Sequence, residues 1–365
     1  MKIAVALSGG ADSLASLILL KESGRELLPF HARFFPPPDH DPKVEEELSL
    51  ICRKLGLSLC VLNLAHDFEK MVIKPFIKSY MSGLTPNPCA LCNRQVKFGL
   101  ILEKIKALGA QVLATGHYAG VSRSGDGPGL WRAADALKDQ SYFLSLVPVN
   151  IFKQVIFPLH EMSKPEVIEF LRQRNIAPPA REESNEICFI RNDYREFILS
   201  RVSEDILNKT GPVKNRQGTE LGRHLGLWRH TQGQRKGLNI AHEHPLYVLE
   251  KDYKTNTLIV GARDELKTLT CMAAQINIHV DPALWPKQVF VQTRYRQKAA
   301  QAQVKIEHGR MLVSFCRPRD IPAPGQVAAV YSGQGQVLGA GTIIDMDFGL
   351  RGKNSPLKLT HEGVL

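Results

Sequence analysis

The sequence predicts an α/β N-terminal domain built on a doubly wound parallel sheet, then a small β-rich central domain and a C-terminal β-barrel. Three observations predict it. Apolar, β-branched runs alternate with stretches of helical periodicity through the first third of the chain, as strands joined by crossover helices do. A Ser-Gly-Gly turn directly follows the first of these runs. Near residue 200 the texture changes to short alternating segments separated by glycine-rich turns, a pattern shared by β-barrels and sandwiches. The chain divides on this reading into residues 1–200, 201–264 and 265–365.

Element by element, KIAVAL (2–7) is a continuous apolar run and reads as a buried parallel strand. ADSLASLILLKESG (11–24) carries helical periodicity and ends at Gly24, a suitable C-cap. ELLPFHARFF (26–35) is a second strand closed by PPPDHD, and KVEEELSLICRKLG (43–56) a helix. LSLCVLNL (57–64) is the next strand, followed by a helix over DFEKMVIKPFIKSYMSG (67–83). TPNPCALC (85–92) reads as a proline-bounded loop with two cysteines, after which NRQVKFGLILEKIKALGA (93–110) is a helix and QVLATGHYA (111–119) a strand. SRSGDGPGLW (122–131) reads as a mobile loop between strands. From Gly211 onward, PLYVLEKDYKTNTLIVGA, VFVQTRYRQ, QAQVKIEHGRMLVSF and GQVAAVYSGQGQVLGAGTII supply the alternating strands.

At 365 residues the chain is too long for one ordinary core, so two or three domains are expected. Lys and Arg exceed Asp and Glu to give a net charge of +11 and a pI near 9.3; such an excess suits a polyanionic partner, and equally a solvated basic surface. RHLGLWRHTQGQRKG (223–237) concentrates six basic or histidine residues among fifteen around Trp228, a composition suited to RNA backbone contact or to a solvated face. No run reaches the roughly 18 apolar residues of a bilayer span, and MKIAVALSGG does not read as a signal peptide. A cytoplasmic protein with no membrane partner is expected. Seven cysteines without a secretory context make structural disulfides unlikely and leave catalytic, redox or metal-binding roles.

The stretch SGGADS, Ser8 to Ser13, lies between the first strand and the first helix. Its glycines allow a sharp turn that presents N–H groups to a phosphate at a helix N-terminus. Asp12 suits Mg2+, and Ser8 and Ser13 suit phosphate oxygens. The lysine of a Walker A loop is missing. SGGxDS instead resembles the loop of PP-loop ATP pyrophosphatases, of the adenine nucleotide alpha hydrolase-like fold, which cleave ATP between its α and β phosphates.

Further motifs occur in one order: TPNPCALCNRQVKFG, ATGHYA (114–119), KDQSYFL (138–144), EICFIRNDYREFI (186–198), HTQGQRKGL (230–238), PLYVLEKD (245–252) and Arg294-Tyr295. Together they closely resemble the tRNA-specific 2-thiouridylase family (MnmA/TrmU), over residues 3 to about 346. The resemblance implies ATP-dependent 2-thiolation of the wobble uridine in tRNAs for lysine, glutamate and glutamine. It implies ATP contacts at Ala6, Leu7, Ser8, Gly9, Gly10, Ala11, Asp12, Ser13, Ala32 and Gly116. Asn87, Pro88 and Cys89 match the segment facing the target base; His117, Lys138, Asp139, Gln140, Arg294, Tyr295 and Gln326 match tRNA-contacting positions. Asp12 stands with the catalytic residues, Cys92 matches the attacking cysteine, and Cys188 the cysteine that carries persulfide sulfur. For His117 and Cys188 taken alone, a satisfied structural histidine and a small buried hydrophobe are the ordinary readings. The implied partners are tRNA, with residues 201–264 as a small tRNA-binding domain, and a sulfur donor: a cysteine desulfurase, a sulfur-carrier protein or inorganic sulfide.

One position departs from the family. Many members read NPDxxC, and Cys89 stands where they have aspartate. Two mechanisms follow. In a relay, Cys188 holds a persulfide, Cys92 releases its sulfur by forming a transient disulfide, and Cys89 is a spare or resolving thiol. In a cluster, Cys89, Cys92 and Cys188 ligate a 4Fe–4S centre whose open iron binds hydrosulfide. Thiolate is the softer ligand, so an aspartate-to-cysteine exchange favours the cluster; zinc lacks a visible fourth ligand. The competing functions are another PP-loop activity, such as a different tRNA thiolase or an amidating synthetase, and a non-catalytic tRNA-binding protein. An amidating enzyme has no use for Cys92 and Cys188, and the intact loop and cysteines argue against a mere binder.

Overall fold

The computed structural model describes residues 1–36, 42–122, 127–179, 187–190, 192–207 and 209–344, without the side chain of residue 205. Outside it fall the PPPDHD turn beyond residue 36, the tip of the 122–131 loop, parts of EICFIRNDYREFI, and residues 345–365. Strands β1 (Ile3–Ala6), β2 (Leu27–Arg33), β3 (Cys60–Asn63), β4 (Val112–Ala114) and a two-residue strand Val155–Ile156 form one sheet in the order β3-β2-β1-β4 and then the last, all parallel. Period-two alternation sandwiches this sheet. Ile3 and Val5 pack against Leu14, Leu17, Leu48 and Leu171 on one face, while Ala4 packs against Phe68, Phe98 and Ile105 on the other. Helices α1 (Ala11–Glu22) and α2 (Pro42–Lys54) supply the first face, together with helix Lys164–Gln173. The helical stretches 65–81 and 88–107 supply the second. Chain order reverses between β1 and β4, the switch point where open parallel sheets bind ligands.

The predicted strand 111–119 is ordered as β only from Val112 to Ala114. Its remaining residues leave the sheet at the switch point. A ribbon of Gly120–Ser122 against Gly129–Trp131 flanks the loop tip.

The central sheet joins Tyr247–Asp252, Thr257–Gly261, Gly211–Lys214 and Glu220–His224, in that order, over Val213, Leu227, Val248, Leu258 and Val260. Six antiparallel strands then close a barrel, Lys267–Ile278 pairing with both Arg310–Asp320 and Val337–Ile344, so the pattern resolves in favour of a barrel. No described helix is long and apolar enough to cross a membrane.

The basic stretch 223–237 is not an RNA-facing surface throughout. His224, Trp228 and His230 are buried, the Trp228 indole N–H donates to the Leu207 carbonyl at 2.9 Å, and Arg229 lies over its ring. Only Arg223, Arg235 and Lys236 among its cations are exposed.

His230 and His279 are buried and held at pKa values of about 4, chiefly by desolvation of the charged form. His279 donates through Nε2 to the Ser145 carbonyl at 2.8 Å, tying the barrel to the first domain. Both values lie below the free value of 6.5, so the unfolded chain takes up protons before the folded one. The stability they permit is full above pH 6.5 and declines as pH falls toward 4. Thermal melts at pH 5 should lie below those at pH 7, and His279→Gln should flatten that difference.

Candidate active site

The nucleotide end is built by the β1–α1 turn. Gly9 adopts φ +89°, and Gly10 caps α1. The Ser8 N–H donates to Ser13 Oγ at 3.2 Å, and Ser13 Oγ–H donates to the Gly10 carbonyl at 2.8 Å. This self-bonded turn aims the first N–H groups of α1 outward, the arrangement that receives phosphate. His31 Nδ1–H donates to the Leu7 carbonyl at 2.7 Å and so fixes the end of β1 to β2, with Ala32 next along.

Asp12, in the first turn of α1, is clasped. Its Oδ1 accepts from the Tyr118 hydroxyl at 2.8 Å and from Lys164 Nζ at 2.7 Å. Neither partner was evident from the sequence. Lys164 opens its helix after a Ser163–Glu166 capping box and is 9% exposed. A cation there opposes the helix dipole, so its position answers to the Asp12 carboxylate. The string Ser-Lys-Pro-Glu holds that signal: a capping box with the wrong charge at its first helical position.

Gly116 meets this turn from β4. A Cβ on it would lie 2.8 Å from Asp12 C and 2.9 Å from both Asp12 O and Ser13 N. These are backbone atoms, so the turn itself must yield. Gly116→Ala should lower ATP-dependent turnover about a hundredfold, as angstrom-scale misplacement does, and should lower stability by about 1–3 kcal/mol as the turn is pushed aside.

The cysteine end corrects the expected loop. Pro88–Cys92 is helical: Pro88 occupies the first turn, where a missing N–H costs nothing, and Asn87 Oδ1 caps it by accepting the Ala90 N–H at 3.0 Å. Cys89 and Cys92 therefore sit one turn apart on a rigid element. The next residues, Asn93–Leu100, form a π-helix. Its i→i+5 periodicity brings Lys97 under Cys92, where an α-helix would turn it away. Lys97 Nζ lies 3.4 Å from His117 Nε2, and the His117 Nδ1 lies 2.7 Å from Thr115 Oγ1.

Burial pushes the Cys92 thiol up to about 12 and Cys89 to about 11, with Lys97 pulling both the other way. The Cys188 thiol acts on both and is itself raised by the protein mass around it, although the residue is exposed. The structure thus brings the three predicted cysteines and Lys97 into one neighbourhood. Among the described residues, however, no three His, Cys, Asp or Glu side chains are grouped so as to hold a metal ion. The thiols as arranged do not form the expected ligand set of an iron–sulfur cluster.

The expected RNA contacts separate into two groups. Arg294 is exposed, and half-buried Tyr295 rests on Phe143 with centroids 4.3 Å apart. Lys138 and Gln140 are partly exposed. His117 and Asp139 differ from expectation: both are buried. The Asp139 carboxylate accepts from Arg132 at 2.6 Å, from the Ala133 N–H and from Ser141, and Arg132 reaches Gln292 of the barrel. Both side chains hold the site together rather than face solvent. Pro88 is likewise buried.

A parallel sheet with a glycine turn at its switch point and paired sulfur and cationic groups alongside defines a nucleotide-using domain of the HUP class. Residues 1–192 match the family described as tRNA methyl transferase HUP domain, 199–262 the tRNA methyl transferase PRC-barrel domain, and 268–343 the aminomethyltransferase beta-barrel domain. The chain is 47% identical to a tRNA-specific 2-thiouridylase MnmA of Nitratidesulfovibrio vulgaris, over 94% of this chain and 99% of that one. It is 45% identical to a protein of the same name from Oleidesulfovibrio alaskensis (94% and 99%) and 37% to one from Geobacter metallireducens (94% and 96%). The chain belongs to the tRNA-specific 2-thiouridylase MnmA family, whose members are tRNA-uridine 2-sulfurtransferases.

Proposed function

We propose that this protein thiolates the 2-position of the wobble uridine in tRNAs for lysine, glutamate and glutamine, using ATP. One observation carries the reading. The dipeptide Gly116-His117 touches both chemistries at once, Gly116 against the backbone of Asp12 and Ser13, His117 against Lys97 beside the cysteines. ATP activation and sulfur transfer would thereby meet across one dipeptide.

The uracil 2-oxygen attacks the α-phosphorus of ATP and pyrophosphate leaves. The α1 N-terminus and Lys164 face the developing phosphate charge. Asp12 keeps Oδ2 available beside its clasped Oδ1, which suits magnesium held by one carboxylate and substrate phosphates; the ion would neutralise phosphate charge. The terminal sulfur of a Cys188 persulfide then attacks C2 and AMP departs with the oxygen. Cys92 attacks Cys188 Sγ, so a Cys92–Cys188 disulfide forms and the 2-thiouridine is released; an external thiol reduces the disulfide. Cys89, one turn from Cys92, is placed as a resolving thiol. Arg294, Tyr295, Lys138 and Gln140 supply phosphate and stacking contacts to the tRNA.

Incubation with tRNA, ATP and a persulfide donor should yield tRNA-dependent pyrophosphate and 2-thiouridine at the wobble position by nucleoside mass spectrometry. No 2-thiouridine under either aerobic or anaerobic sulfur supply overturns the function. Iron-free protein that thiolates supports the relay. About four irons per chain, with activity lost on their removal, replaces it with the cluster.

A further inference from the structure

The turn Pro324–Gln326 at the start of a barrel strand grips the segment leading into the cysteine helix. The Gln326 amide donates both its protons, to the Thr85 carbonyl at 3.0 Å and the Pro86 carbonyl at 3.1 Å. The Thr85 N–H donates to the Pro324 carbonyl at 2.7 Å. Gly325, at φ +94°, lies so close that a Cβ would stand 2.9 Å from Thr85 O. One residue further on, the Tyr142 hydroxyl donates to the Val327 carbonyl at 3.0 Å and also bonds the Asn87 side chain. Asn87 is the cap of the helix bearing Cys89 and Cys92. The turn is fixed in turn to the barrel, Gly325 N–H donating to Ile343 O at 2.8 Å and Ile343 N–H to Gln326 O at 2.7 Å.

We infer that the Pro324–Gln326 turn is a latch through which the C-terminal barrel positions the sulfur-handling helix, with Gln326 acting on Thr85–Pro86 and Tyr142 on Asn87. Gln326 is a positioning residue in this role, because both donors of its amide are committed within the protein. The inference rests on the thiolation reading for its consequence: a misplaced helix lets activated uridine lose AMP to water before sulfur arrives. ATP use then continues while thiolation lags.

Gln326→Glu keeps the shape but presents a carboxylate to two carbonyl oxygens. It should lower 2-thiouridine formed per pyrophosphate released about tenfold, with tRNA affinity within about twofold of the parent. Tyr142→Phe removes only the hydroxyl and should act in the same direction without endangering the fold. A second readout needs no turnover: iodoacetamide labelling of Cys92, mapped by peptide mass, should accelerate about tenfold in both variants while buried Cys52 and Cys271 stay protected. General loosening, with all three cysteines labelling faster, overturns the latch. So does a fall in tRNA affinity with an unchanged ratio, which would make Gln326 a tRNA contact. If the parent makes no 2-thiouridine, the function fails, and the labelling arm still decides the latch.

Discussion

Cys92→Ser is expected to abolish catalytic 2-thiouridine formation, by about a thousandfold or more, while tRNA-dependent pyrophosphate release stays within about twofold in the first turnover and then stalls. Serine fills the same space at the end of the cysteine helix, so cap and packing survive; its hydroxyl is buried without the partner it would seek, at a cost of about 1–3 kcal/mol. What it cannot do is attack a sulfur and form a disulfide. Under the relay the reaction then stops after the first attack, with tRNA joined to Cys188 through a disulfide. Non-reducing gels should show that protein–tRNA conjugate, and dithiothreitol should dissolve it into free protein and thiolated tRNA. Cys188→Ser should give neither conjugate nor product. A Cys92→Ser enzyme that turns over normally sinks the relay.

Lys164→Met is expected to cut pyrophosphate release about a hundredfold or more, the usual consequence of losing one preorganised charge from a phosphate site. Stability should fall only a little. The Lys164 ammonium is buried against a carboxylate that stays about one-third exposed, so water relieves most of the charge left on Asp12 when its partner is removed. Removing a cation from the positive end of a helix returns about 0.3–1 kcal/mol. A variant that melts like the parent yet barely activates tRNA would set Lys164 among the catalytic groups. Unchanged pyrophosphate release with a lower melting temperature would make it structural.

Most of the fold was legible because strand and helix periods differ, and the β1–α1 turn announced itself by Ser8, Gly9 and Gly10. The strand Val155–Ile156 was not legible: two residues carry no period. The cysteine helix reads as a loop in the sequence because Pro86 and Pro88 crowd its start, although Asn87 and Pro88 are a cap and a first-turn residue when taken together. Lys97 was invisible for a geometric reason. Its five-residue offset from Cys92 points elsewhere on an α-helix, and nothing local in Asn-Arg-Gln-Val-Lys announces a π turn. The sequence reading of His117, Asp139 and Gln326 as RNA-facing groups could not foresee that His117 and Asp139 are buried and that the Gln326 amide is committed to two backbone carbonyls, because both facts belong to the tertiary structure.

The protonated, enclosed state of Cys89 and Cys92 has a bearing on wear. Peroxide and alkylating agents consume thiolates that they can reach, and at neutral pH the idle enzyme offers few at this helix. Cys188 is also held protonated by the protein around it, but it is the exposed member of the trio, so a reagent reaches it first. Exposure alone then sets the order of wear: peroxide should modify Cys188 before Cys89 and Cys92, and the sheltered pair should outlast it.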